Sequence, residues 1–165
     1  MARLEPMSAS DEATIAAQLG RSPRGVAGIA WRCAGGHPGV VATFPRLADG
    51  TPFPTVYYLT CPKLTAACST LEASGLMAEM TSRLAADGSL ALAYQQAHAS
   101  YLADREALGE VPEIAGISAG GMPSRVKCLH VLVGHSLAAG AGVNPLGDEA
   151  VALLRAGVPC LAGDV

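Results

Sequence analysis

Glycine and proline divide this sequence into short segments, and that punctuation limits what the chain can fold into. The chain has 19 glycines and 11 prolines in 165 residues, which is above average but below the share typical of low-complexity sequence. These residues therefore indicate defined turns between regular elements. Half of the residues are apolar, which excludes intrinsic disorder, and the length suits a single domain over residues 1–165.

The first third of the chain predicts a small sheet. Strand-like runs occupy 26–33, 39–44 and 55–60, and the third is rich in β-branched and aromatic residues. The first two runs flank a turn-forming segment with Gly-Gly and His-Pro, so we expect a β-hairpin with Cys33 at its mouth.

The remaining segments have helical patterns. Ser8 and Asp11 form a capping box before a short helix that Gly20 ends, and Pro62 fits the first position of another helix. Further helices are expected over 76–87, 89–108, 125–139 and 149–156. The prediction is an α+β fold, in which about five helices cover a small, mainly antiparallel three-stranded sheet. A short N-terminal helix precedes it, and a weakly ordered C-terminal tail follows.

Composition and the N-terminus exclude several functional classes. No apolar run reaches the roughly 18 residues that a membrane-spanning helix requires. The N-terminus has no apolar segment typical of a signal peptide, so we expect a cytoplasmic protein. A net charge of −3 gives no strong signal for nucleic-acid binding.

The five cysteines are odd in number and widely spaced, which argues against a disulfide framework. Cys61 is the predicted N-cap of a helix, where the helix dipole stabilises a thiolate that attacks electrophiles or binds metals. The alternative is a small buried hydrophobic residue. Helical spacing assigns Cys68 to the core, and Cys160 in the tail is expected to be incidental.

A glycine-rich loop over residues 119–128 leads into Cys128. Gly120 and Gly121 allow backbone amides to approach a ligand closely, while Arg125 and Lys127 add positive charge. Such a helix entrance can bind a phosphate or carboxylate, so these four residues form a candidate anion site. A solvated turn is the alternative.

Three cysteines fall at element boundaries: Cys33, Cys61 and Cys128. If their sulfurs converge, they suit either zinc, with His37 or His130 as fourth ligand, or an iron–sulfur cluster with one iron free. No CxxC spacing unites them, so three unrelated cysteines remain an alternative. Cys128 and His130 would face opposite sides of a regular helix, and they could chelate one ion only if Cys128 precedes the helix.

The longest predicted helix carries a stripe of polar-tipped residues: Tyr94, His98, Tyr101 and Arg105. Such a stripe could line a cleft, with His98 as general acid or base, Arg105 as an anion clamp and Tyr101 beside them. The alternative is that these side chains extend along the edge of the core.

Together these fragments resemble an uncharacterised bacterial family called domain of unknown function 501. The resemblance covers roughly positions 20 to 148 and rests on Arg32-Cys33, 52–55, 58–62, Ala97-His98 with Tyr101 and Arg105, 119–123, 125–130, Asn144-Pro145 and Gly147-Asp148. It implies that the cysteines at positions 33, 61 and 128 belong to the family pattern with His98 and His130. It implies no settled activity.

The leading hypothesis is a metalloprotein in which Cys33, Cys61 and Cys128 bind an iron–sulfur cluster. The cluster is favoured over zinc because the histidines on the predicted helices are poorly oriented to complete a tetrahedral site. Its open position would bind a small anionic or sulfur-containing substrate, with His98 or His130 moving protons in a lyase, desulfurase or hydrolase-like reaction. Two alternatives are a metal-free enzyme with Cys61 as nucleophile and a zinc-stapled, non-catalytic binding module.

Overall fold

The structure is a computed structural model that describes residues 3–162. The strands of its antiparallel sheet, in the order β1-β2-β3, are β1 (Val26–Arg32), β2 (Pro38–Thr43) and β3 (Tyr57–Leu59). The helices are α1 (Ala9–Leu19), α2 (Pro62–Ala73), α3 (Leu76–Ala86), α4 (Gly88–Glu106), α5 (Leu129–Ala139) and α6 (Pro145–Arg155), with 3₁₀ turns at Pro112–Ile114 and Pro159–Leu161. This confirms the predicted α+β fold with three strands.

The central strand β2 is buried along its whole length because both faces of the sheet are covered. Val41 packs with Ile15 of α1 on one face, whereas Val40 and Ala42 face the main core formed with the other helices. Successive side chains of a strand point to opposite faces, which explains this division. Val41 pairs with Tyr58, so β3 lies beside β2 at the edge that contacts α5.

Helix α5 is the centre of the main core and packs against α6, β3 and α2. Two glycines permit these close approaches. A Cβ at Gly134 would lie 3.1 Å from the carbonyl oxygen of Tyr57, and one at Gly147 would lie 2.4 Å from that of Leu132. This packing holds the N-terminal end of α5 against α2, where the candidate site lies.

The predicted start of α5 at residue 125 is wrong by four residues. The backbone N–H groups of Arg125 and Lys127 donate to the carbonyls of Gly121 and Gly120, at 3.1 and 2.7 Å, so this segment folds as a loop. Cys128 is extended, with φ −153° and ψ 115°, and the helix begins at the next residue.

Helix α6 begins earlier than predicted, at Pro145 instead of residue 149. The Asn144 side chain accepts a hydrogen bond from the Gly147 N–H at 3.0 Å and caps the helix. At the other end of the chain, the predicted Ser8–Asp11 capping box of α1 is confirmed.

Among residues 3–162, no helix combines the length and the apolar character that crossing a membrane requires. The predicted weakly ordered tail extends onto residues 163–165, which lie outside the described residues. Leu161, two residues before them, is fully buried in the main core.

Candidate metal centre

Glu72, Cys128 and His130 bring an oxygen, a sulfur and a nitrogen together between α2 and α5. These ligand atoms all lie within 4.8 Å of one another. His130 Nδ1 is 3.0 Å from Glu72 Oε1 and 3.8 Å from Cys128 Sγ. Over residues 3–162, no other group of three or more His, Cys, Asp or Glu side chains meets this distance.

The extended backbone at Cys128 creates this convergence. Cys128 precedes α5 as its N-cap, so it meets the condition under which Cys128 and His130 can share an ion. Glu72 lies in the last turn of α2, and its Oε1 accepts the backbone N–H of Leu129 at 2.6 Å. That contact satisfies one of the N–H groups that a first helical turn leaves free, and it orients the carboxylate.

The second ring nitrogen of His130 contacts the backbone of α2. Nε2 lies 3.1 Å from the carbonyl oxygen of Thr65 and 3.4 Å from Ser69 Oγ. A carbonyl only accepts hydrogen bonds, so we assign the Nε2 proton to this contact, which leaves Nδ1 facing Glu72 and Cys128. Histidines that bind metals usually donate their other N–H to a carbonyl or carboxylate in this way.

These contacts determine the charges of Glu72 and His130. Hydrogen bonding to Cys128, together with Glu72, raises the pKa of His130 to about 9, although burial opposes this shift. Burial favours the neutral form of Glu72, but hydrogen bonds from His130 and Leu129 outweigh it and lower the pKa of the carboxyl. Without a metal, an imidazolium therefore lies beside a carboxylate at neutral pH.

A cavity of about 280 Å³ adjoins Cys128 and His130. The lining residues come from β3 and its approach, from α2 and from α5: Thr55, Tyr57, Tyr58, Leu59, Thr65, Cys128, His130 and Val131. The cavity has room for a small molecule at the edge of the ligand group.

The sulfurs of Cys33, Cys61 and Cys128, which the sequence predicts to share one site, do not all lie within 4.8 Å of one another. Cys61 Sγ lies 3.6 Å from Cys160 Sγ, and the Ala34 N–H donates to the Cys160 carbonyl at 3.1 Å, beside Cys33. Burial, a hydrogen bond to Cys61 and the charges of Cys61 and Cys33 raise the pKa of Cys160 to about 12. Iron–sulfur binding by Cys33, Cys61 and Cys128 stays a prediction from the sequence.

The polar stripe of α4 faces the interior. Tyr101 is fully buried and its hydroxyl accepts the Val56 N–H at 2.9 Å, while burial raises its pKa. Arg105 is 2% exposed and donates to the carbonyl of Ile114 at 2.7 Å and to that of Ile117. The guanidinium thus holds the backbone of a following loop, instead of presenting a free anion clamp.

His98 is half-buried on the same helix, with Nδ1 2.9 Å from Ser118 Oγ. Burial lowers its pKa, and the positive charge of Arg105 adds to that shift. No contact joins it to the Glu72, Cys128 and His130 group, so its predicted role in proton transfer stays a prediction.

The glycine-rich loop has the tight backbone that its glycines predict, with φ 75° at Gly120 and 93° at Gly121. Its Arg125 and Lys127 side chains are exposed. Their predicted role in binding an anion stays a prediction.

Glu72 was not predicted from the sequence as a ligand, and Cys160 was expected to be incidental. Thr65, Ser69 and Glu72 are spaced by four and three residues, so they share one face of α2, and that polar stripe was the available signal. For Cys160, the signal was the apolar pair Val158 and Leu161, which anchors the 3₁₀ turn in the core.

The family model described as "Protein of unknown function (DUF501)" matches residues 29–152, well over half of the chain. This match confirms the resemblance seen in the sequence. No curated protein and no solved structure matches the chain.

Proposed function

The chain belongs to the DUF501 family of proteins of unknown function, and we propose that it is a metal-dependent enzyme whose ion is bound by Glu72, Cys128 and His130. The observation that carries this proposal is the convergence of three different ligand atoms on one point. A carboxylate, an imidazole and a thiolate together suit Zn²⁺. Three protein ligands leave a fourth position open, as in catalytic zinc sites.

The distances support zinc. In a tetrahedral site with bonds of about 2.0–2.3 Å, ligand atoms lie roughly 3.3–3.8 Å apart. The pairs from His130 Nδ1 measure 3.0 Å to Glu72 and 3.8 Å to Cys128, so small side-chain rotations bring all three onto one ion. The hydrogen bonds from Leu129 to Glu72 and from His130 to Thr65 hold the ligands in position.

The same geometry argues against a catalytic triad. In a triad, the nucleophile and the orienting acid contact opposite nitrogens of the histidine ring. Here Cys128 and Glu72 both contact Nδ1, so the carboxylate competes with the sulfur for the same nitrogen.

The residues around the ion have separate tasks. Zn²⁺ held by Glu72, Cys128 and His130 would supply Lewis acidity toward a substrate carbonyl or phosphoryl oxygen, or toward water, which supports hydrolase-like chemistry. The cavity beside Cys128 and His130 holds the substrate, and Leu59 and Val131 give part of its wall an apolar character. Arg125 and Lys127 supply exposed positive charge for a small anionic substrate.

A cytoplasmic location fits this proposal. All five cysteines are free thiols in the structure, and a reducing compartment keeps a thiolate ligand available.

Metal analysis of the full chain, purified anaerobically, tests the proposal. We expect Cys128→Ser and His130→Gln each to remove one zinc ion per chain while the far-ultraviolet circular dichroism stays unchanged. Cys68→Ser is the matched control, since Cys68 lies buried nearby but outside the ligand group. Unchanged zinc in both ligand variants would overturn the proposal, and a brown protein with stoichiometric iron would favour the iron–sulfur hypothesis.

A second candidate is a metal-free enzyme with Cys128, not Cys61, as nucleophile. The imidazolium of His130 and the N-terminus of α5 both lie beside this sulfur, and both stabilise a thiolate. Stoichiometric trapping of Cys128 by a small electrophile, with catalysis that survives chelation, would favour this candidate over the metal enzyme.

A further inference from the structure

Three cysteines and one histidine lie on three segments that contact one another near the end of the β1–β2 hairpin, and none of them belongs to the ligand group described above. We propose that Cys33, His37, Cys61 and Cys160 form a second metal site, which binds one Zn²⁺ and fastens the C-terminal turn to the sheet. This inference is independent of the proposed function, because the two sites share no residue.

The four side chains already form two close pairs. Cys33 Sγ lies 3.8 Å from His37 Nδ1, and Cys61 Sγ lies 3.6 Å from Cys160 Sγ. Two ligands of a tetrahedral zinc ion with a bond near 2.3 Å lie roughly 3.6–3.8 Å apart. Each pair therefore has the spacing of two ligands on one ion.

Backbone hydrogen bonds hold the two pairs at one corner. The Ala34 N–H donates to the Cys160 carbonyl at 3.1 Å, which joins the hairpin turn to the C-terminal 3₁₀ turn. The Cys61 N–H donates to the carbonyl of Gly39, two residues after His37, at 3.4 Å. The three segments that carry the ligands are thus in direct contact.

Completing the site requires side-chain movement. No three of the four ligand atoms lie within 4.8 Å of one another. Cys33 is half-buried and His37 exposed, and Gly35 and Gly36 separate them in the turn. Exposed side chains change rotamer freely, whereas Cys61 is 7% exposed and fixed in the core. We therefore expect Cys33 and His37 to rotate toward the buried pair.

The donor set selects a soft cation. Three thiolates and one imidazole form a closed Cys₃His set, which is a structural zinc arrangement. Binding converts three thiols to thiolates and releases their protons to solvent, with no change of oxidation state. The site would tie residues that are far apart in sequence to Cys160, whose turn also buries Leu161.

Zinc and Co²⁺ titration of the reduced, metal-free full chain tests the site. We expect about two zinc ions per chain for the natural sequence and about one for Cys160→Ser. The Co²⁺-loaded protein should have strong sulfur-to-metal absorption that Cys160→Ser weakens, whereas His37→Gln should lower the affinity for Co²⁺ and Zn²⁺. Cys68→Ser serves as the matched control, and His37→Gln changes only an exposed side chain, so its fold is preserved.

The variants separate this proposal from the previous one. Cys128→Ser should also lower zinc to about one ion but keep the sulfur-rich Co²⁺ spectrum, because it leaves the Cys₃His set complete. If only Cys160→Ser loses zinc, the second site stands and the proposed enzyme site fails. Zinc binding that is unaffected by Cys160→Ser and His37→Gln, or a Cys61–Cys160 disulfide that forms in place of metal binding, would overturn the second site.

Discussion

The Nδ1 atom of His130 lies 3.0 Å from Oε1 of Glu72, which is 58 residues earlier in the chain. This contact joins the first turn of α5 to the last turn of α2. The same carboxylate oxygen accepts the Leu129 N–H at 2.6 Å, so one side chain both orients a candidate ligand and caps a helix.

Replacing Glu72 with glutamine tests its role as a ligand. The amide oxygen of Glu72→Gln can still accept the Leu129 N–H, but the variant lacks the negative charge that favours a cation. We expect zinc affinity at this site to fall by more than about 10-fold, since even partners that only orient ligands contribute that much. Competition with a chelating dye measures this change.

Glu12→Gln is the control for that measurement, because Glu12 is an exposed carboxylate in the first turn of α1. If Glu72→Gln and Glu12→Gln bind zinc equally well, Glu72 is not a ligand.

Replacing Arg105 distinguishes a structural role from the predicted anion clamp. Arg105→Met removes the donors to the carbonyls of Ile114, which is buried, and Ile117, and an unsatisfied buried acceptor costs about 1–3 kcal/mol. We expect the free energy of unfolding to fall by about 3 kcal/mol, measured by urea denaturation. Zinc affinity should stay unchanged.

Arg125→Met is the comparison, because Arg125 is exposed on the glycine-rich loop. Its effect on unfolding should be within about 0.5 kcal/mol, as for most surface substitutions. A stable Arg105→Met protein with weakened anion binding would instead support the clamp.

Acid should destabilise the protein through His135. This residue is fully buried and stacks on Tyr57, and burial lowers its pKa from 6.5 to about 4 despite the charges of Asp104 and Asp148. The unfolded chain therefore binds more protons between these values. Stability is complete above the unfolded pKa and is lost as the pH falls toward 4, by up to about 3 kcal/mol.

Urea denaturation of the metal-free protein between about pH 7 and pH 4 measures this dependence. In His135→Phe, which keeps a ring against Tyr57, the curve of stability against pH should be flatter than in the natural sequence. Parallel curves for the two proteins would contradict a role for His135.

Alkylation should distinguish two nearby cysteines. Burial, together with the negative charges of Glu72 and Cys128, raises the pKa of Cys68 to about 12, whereas Cys128 is half-buried beside an imidazolium. We expect iodoacetamide to modify Cys128 at least about 10-fold faster than Cys68 at neutral pH, because the thiolate is the reactive form. Peptide mass spectrometry gives the two rates.

Bound zinc should protect Cys128 from this reaction. Equal modification rates for Cys68 and Cys128 in the metal-free protein would show that the surroundings of Cys128 do not activate it.

Local sequence patterns predicted the elements well where the deciding interactions are local. The Ser8–Asp11 box and Gly20 bound α1, and Pro62 begins α2 directly after Cys61, as expected. The start of α5 was missed because hydrogen bonds that close the loop at Gly120 and Gly121 outweigh helical propensity over residues 125–128. That same loop aligns Cys128 with His130, which a regular helix would have separated.

The amino-acid sequence by itself therefore determined the fold class, the family and the positions of Cys33, Cys61 and Cys128 at element boundaries. Only the tertiary structure decided which ligands meet: Glu72 with His130, and Cys61 with Cys160 across 99 residues. The physical reason is the range of the interactions. Caps, turns and strand patterns depend on neighbours within a few residues, whereas the meeting of distant side chains depends on how the helices pack around α5.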